Sequence, residues 1–315
     1  MAAFTTKATI ASFGGKLFKL SHQSKSTGTE MSLNLYLPPQ AFSSSSSSSS
    51  QNQNKIPLLI YLSGLTCSPE NCSEKGFFQH GASRRGLAVL YPDTSPRGLN
   101  LPGESSSWDF GVAASFYVDA TEPPFDQNYK METWLTSELP SVLFNDEEYG
   151  RKYNLDPDRV SITGHSMGGH GALSLYLRHP GLYRSVSAFA PIANPSKCPW
   201  GEKAFSGYLG AENREEWKRH DATELVATEA WRGKDLKALV DVGTGDNFYK
   251  QGQLLPENLE KAVAEAGATG FELRYQEVSF CCYFSPPLFS CFYSRSFPPF
   301  FTLSLGYTLE KALGS

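Results

Sequence analysis

Histidine is scarce in this 315-residue chain: there are six, and none follows His220. Cationic excess is missing too, with 28 basic residues against 32 acidic ones and a net charge of −4. That balance excludes nucleic acid and anionic membrane surfaces as expected partners. No Cys-x-x-Cys pair and no His-rich spacing occurs, so no zinc site is expected. Nor do the six cysteines make a disulfide framework. Cys67, Cys72 and Cys198 are scattered through the body, while Cys281, Cys282 and Cys291 crowd one late segment. Free thiols in a reducing cytosol are the expectation. Met1 to Ser12 holds one lysine and no apolar stretch of signal-peptide length, which agrees with a cytoplasmic location. There is no internal repeat. What remains, 40% hydrophobic and 19% charged residues, suits a globular protein with a sizeable core.

Four compositional regimes follow one another. Residues 1–39 alternate in the manner of β-strands, as in Lys16–Leu20 and Met31–Leu37. Ser43 to Ser50 is an unbroken serine run continued by Gln51-Asn52-Gln53-Asn54; such a tract buries no apolar surface, and 42–54 is expected to be a disordered loop. From residue 56 to 276 short apolar runs (Ile56–Leu62, Leu87–Tyr91, Val160–Thr163, Val186–Ala190, Ala238–Val242) alternate with helical patterns such as Asn258–Ala266. That alternation predicts one α/β domain over 1–276, with a mostly parallel central sheet flanked by helices. Residues 278–308 break the pattern with ten aromatics, three cysteines, four prolines and Arg295 as the only charge. Pro286-Pro287 and Pro298-Pro299 interrupt this stretch too often for an ordinary membrane span, so no membrane partner is expected.

Gly164-His165-Ser166-Met167-Gly168-Gly169 carries the chemistry. A bare Gly-x-Ser-x-Gly arises by chance in roughly one protein of this length in ten, so its context decides. It follows a β-branched run and opens a helical one, the arrangement a nucleophile elbow requires. Ser166 is the expected nucleophile. One oxyanion donor is expected at the N–H of Met167, directly after it. The second is expected at the N–H of Leu65, in the turn Ser63-Gly64-Leu65-Thr66-Cys67 after an earlier strand. An acid belongs on a loop after a later strand; of Asp241 and Asp246, the latter lies past two glycines beyond the strand and is the better placed.

Long ordered blocks resemble S-formylglutathione hydrolase (esterase D). They include Tyr61–Cys67, Asp93–Gly98, Ser107–Gly111, Phe116–Thr121, Gly164–Leu173, Cys198–Gly201, Phe205–Gly210 and Gly252–Asn258. The resemblance covers most of residues 10–276. It implies an α/β-hydrolase fold and a cytosolic, homodimeric enzyme without cofactor that cleaves S-formylglutathione to glutathione and formate in formaldehyde detoxification, with side activity on small carboxylesters. It implies Ser166 as nucleophile, Asp246 as acid and Cys67 as a cysteine beside the site; Trp108 and Trp200 are candidates for the walls of a substrate pocket.

The resemblance stops at Gln276. The family's base stands in a Gly-Tyr-Asp-His-Ser-Tyr-type segment just beyond the strand matched here by Phe271–Gln276, whereas this chain continues Glu277-Val278-Ser279-Phe280-Cys281-Cys282. Glu277-Val278-Ser279 reads as an exon end joined to a splice donor and the residues after it as translated intron, a genuine divergent C-terminus being the other reading. The tail 277–315 is then foreign to the family, the last helix is lost with the base, and the chain as written is expected to turn over slowly. The alternative is a product without catalysis that keeps the fold for binding or dimer formation.

Overall fold

The computed structural model describes residues 3–43 and 55–277; residues 44–54 of the expected loop and the segment after Glu277 lie outside the described residues. Nine strands form one sheet in the order β1-β2-β3-β5-β4-β6-β7-β8-β9. β1 (Thr5–Ser12), β2 (Gly15–Gln23) and β3 (Glu30–Leu37) make an antiparallel edge, and β3 pairs antiparallel with β5 (Ala88–Pro92). From β5 onward every neighbour is parallel: β4 (Ile56–Leu62), β6 (Leu155–His165), β7 (Val186–Phe189), β8 (Asp235–Gly243) and β9 (Thr269–Gln276). The chain therefore has the α/β-hydrolase architecture expected of it, a mostly parallel sheet with helices packed against it.

The apolar runs form the central strands because both of their faces are covered. All seven residues of β4 are buried. Leu58, Ile60 and Leu62 enter the larger core together with Leu90, Ile162 and Leu173, whereas Leu59 and Tyr61 enter a second core with Phe78, Ala82 and Val89. The helix Met167–Arg178, on the first side, packs against β6 and β7; the helix Phe78–Arg85 lies on the second. The expected helix at Asn258–Ala266 runs from Pro256 to Ala266. Leu259, Ala262 and Val263 turn its buried side inward, and Gly267 at φ 62° ends it.

Parallel strands place their carboxyl ends along one edge of the sheet. The turns after β4, β5, β6, β7 and β8 gather there, at the edge where ligands meet open α/β sheets. Among the described residues no helix is long and apolar enough to cross a membrane.

Candidate active site

Ser166 stands at the junction of β6 and the helix Met167–Arg178, with φ 58° and ψ −120°. A non-glycine residue holds this conformation only where its surroundings over-determine it. The backbone is pinned on two sides. The Ser166 N–H donates to the Phe189 carbonyl at 2.9 Å, and its own carbonyl accepts from the N–H groups of His170 (3.0 Å) and Ile192 (3.4 Å). Glycine is required around it by close approach: a side chain on Gly164 would run into the Gly168 backbone, and one on Gly168 into the Leu62 carbonyl. The sharp turn lifts the Ser166 side chain clear of the sheet at the start of the helix. The first-turn N–H groups and the positive end of the helix dipole lie beside it.

The turn after β4 comes up against this elbow. A Cβ built on Gly64 would lie 3.2 Å from the Ser166 Cβ, so Gly64 lets the two backbones approach and brings Leu65 alongside. Among the described residues neither the Leu65 nor the Met167 N–H donates to a protein acceptor. Both belong to buried residues beside one serine, as an oxyanion hole requires.

Several residues that sequence reasoning gave no role hold this turn in place. Tyr117 donates its hydroxyl to the Ser63 carbonyl at 2.7 Å, and the Thr66 N–H donates to the Ala113 carbonyl at 3.0 Å. The Arg97 guanidinium forks between the Asp93 carboxylate and the Cys67 carbonyl. Tyr117 and Arg97 lie inside the blocks that carried the resemblance, but nothing local in them points at residues 63–67.

Cys67 is buried, and burial pushes its thiol up to about 11. At neutral pH roughly one such group in ten thousand is a thiolate, which leaves it a poor nucleophile. Asp241 is buried within β8, directly paired in register with Phe189 of β7. Asp246 lies on the turn beyond β8, at the same edge as Ser166 and with only β7 between their strands. It is 3% exposed, and burial raises its carboxyl pKa, opposed by N–H donation from Phe248 and Tyr249. Its Oδ1 accepts from Phe248 N–H at 2.7 Å, capping the turn Asn247–Lys250. Trp200 is buried against Phe248 at 4.6 Å between ring centroids, and Trp108 stands edge-on to Trp200 at 5.7 Å.

The histidines are engaged elsewhere. His22 Nε2 accepts from the Trp134 indole at 2.9 Å. His179 Nε2 lies 2.8 Å from Glu132 Oε1, and His220 Nε2 lies 3.2 Å from Glu216 Oε1. His80 faces the Phe13 ring. His170, one turn along the elbow helix, has Nε2 3.1 Å from the Phe116 carbonyl, and burial drives it down to about 3. His165 precedes the serine; its Nδ1 lies 3.6 Å from where a Gly64 side chain would begin, and burial lowers it to about 4. Ser166 Oγ makes no hydrogen bond to any described residue. Ser166 and the backbone of Leu65 and Met167 thus lie together, with the buried Asp246 carboxylate on the same edge of the sheet and none of the six histidines hydrogen-bonded to the hydroxyl. Among the described residues no group of three or more His, Cys, Asp or Glu is arranged to hold a metal.

Comparison with known proteins bears on the family rather than on individual residues. The Esterase family model matches residues 24–284. S-formylglutathione hydrolase of Rattus norvegicus is 48% identical over 253 residues, 80% of this chain and 83% of the relative. The Saccharomyces cerevisiae protein of the same name is 45% identical over 254 residues, 79% of this chain and 83% of its own length. Among solved structures, an S-formylglutathione hydrolase from Agrobacterium tumefaciens superposes with a TM-score of 0.78 at 34% identity, covering 98% of this chain and 99% of that one.

Proposed function

Because the chain belongs to the S-formylglutathione hydrolase family of serine esterases, we propose that Ser166 is the nucleophile with which it attacks the formyl carbon of S-formylglutathione. The observation that carries this reading is the backbone of Ser166, strained between β6 and its helix and pressed against Gly64. As Oγ attacks, its proton passes to water and the formyl carbonyl oxygen becomes an oxyanion, which the N–H groups of Leu65 and Met167 receive. The C–S bond breaks, glutathione leaves as a thiolate that takes a proton from solvent, and formyl remains on Ser166 Oγ. Water then attacks the ester to release formate and the free hydroxyl. Thioesters suit such a site because the thiolate departs without needing an acid. Asp246 is the carboxylate that would orient and stabilise a protonated base, and that base is missing from this chain. Buried Cys67, Cys72 and Cys198, all free thiols, support a reducing cytoplasm, and the resemblance supports a homodimer.

Substrate choice is tested by comparing S-formylglutathione with p-nitrophenyl acetate on the purified chain at neutral pH. A higher kcat/KM for the thioester is expected. A preference for the ester would make the chain a general carboxylesterase instead.

A further inference from the structure

Trp108 is 55% exposed, the most exposed of the large apolar side chains among the described residues. It is nevertheless held firmly. Lys203 Nζ donates to Ser107 Oγ at 2.8 Å and pairs with Asp109, so one ammonium ties both neighbours of the indole, and Ser107 and Phe110 form a β-bridge around it. The two ends of its surroundings lead to the reacting groups. Through Ala113 the same loop is fastened to Thr66, next to Leu65. Through Trp200 and Phe248 the indole reaches the turn that Asp246 caps. Trp108 is therefore stationed on the rim between the oxyanion turn and the acid, with a free face toward solvent. The residues it packs toward are flanked in sequence by two exposed lysines, Lys197 three residues before Trp200 and Lys250 two residues after Phe248. Neither makes an ion pair among the described residues, and Lys250 is near enough to Asp246 to act on its carboxyl group.

We propose that Trp108, standing on the Trp200–Phe248 shelf that Lys197 and Lys250 flank in sequence, receives the glutathionyl leaving group rather than walling the formyl pocket. The inference rests on the S-formylglutathione reading. A formyl group is one carbon and one hydrogen beyond the serine and needs no exposed indole to enclose it. The leaving group is a tripeptide with flat amide planes, two carboxylates and one ammonium. Its planes match the open indole face, and its net negative charge matches the lysines. A rigid aromatic presents this area at little entropic cost, because its side chain is already ordered in the free protein.

The test is calorimetric titration with S-methylglutathione, a thioether that cannot be hydrolysed, into the full chain. Trp108→Ala is expected to weaken binding by about tenfold, the usual scale for losing an aromatic anchor, and Trp108→Phe to keep most of the affinity. The double change Lys197→Gln/Lys250→Gln is expected to weaken binding a few-fold and to flatten its dependence on salt. Trp108 lies outside the core, so circular dichroism should show every variant folded. Trp108→Ala binding within twofold of the native chain would overturn the subsite while leaving the substrate reading standing. No binding by the native chain at millimolar thioether would overturn both.

Discussion

Replacing the residues after Gln276 with a Gly-Tyr-Asp-His-Ser-Tyr-type segment and a closing helix is expected to raise kcat/KM for S-formylglutathione by about 10⁴-fold or more. The sheet itself gives the reason. β9 runs parallel to β8 and ends at the same edge, where the Gln276 carbonyl accepts from both the N–H (2.8 Å) and the hydroxyl (3.2 Å) of Thr244. Thr244 is two residues before Asp246. A histidine a few residues beyond β9 therefore starts from the turn that holds the acid, with Ser166 two strands further along. Without that imidazole the hydroxyl must lose its proton to water as it attacks. About 10⁴-fold corresponds to roughly 5.5 kcal/mol of transition-state stabilisation, well within what one triad member supplies elsewhere. Comparable rates from the two forms, measured side by side at pH 7, would mean that another residue already serves as base.

Ser166→Ala should have two very different consequences. In the histidine-bearing form it should cost on the order of 10⁶-fold in kcat, because nucleophile and base act as one unit. In the chain as it stands the same substitution should cost no more than about tenfold, since removing a second member of a unit already broken removes little that remains. The oxyanion donors at Leu65 and Met167 survive both changes and should account for the residual rate. Four purified proteins give the cycle. A large loss from Ser166→Ala in the native chain would show that the serine is activated by some group other than a histidine after β9. Retained activity in the histidine-bearing Ser166→Ala form would place the nucleophile elsewhere.

The sequence made the central strands legible because they are buried on both sides: a run such as Ile56–Leu62 has no polar face to obscure it. Within the β-type stretch 1–39, β1 is the strand without a legible run of its own, for the opposite reason. Thr5–Ser12 is an edge strand with nearly every residue exposed, so neither alternation nor apolarity marks it. The elbow was legible because its requirements are local, two glycines and a strand-to-helix change within a few residues. The supports of the site were not. Tyr117 reaches back 54 residues to the Ser63 carbonyl and Arg97 reaches 30 residues to Cys67, and side chains of such loops carry no periodicity. Trp108 shows the same limit: composition marks a tryptophan as apolar, but only the fold shows that its face is open.

The most direct measurement of the central claim, that Ser166 sits on a working elbow with no base, is the rate and position of modification by a fluorophosphonate probe, read by peptide mass spectrometry. The reagent needs a nucleophilic serine beside oxyanion donors and reacts faster when a histidine takes the proton. The expected result is phosphonylation at Ser166 in both the native and the histidine-bearing chain, slower by orders of magnitude in the native one. Modification at a different serine, or equal rates at Ser166 in the two chains, would contradict it.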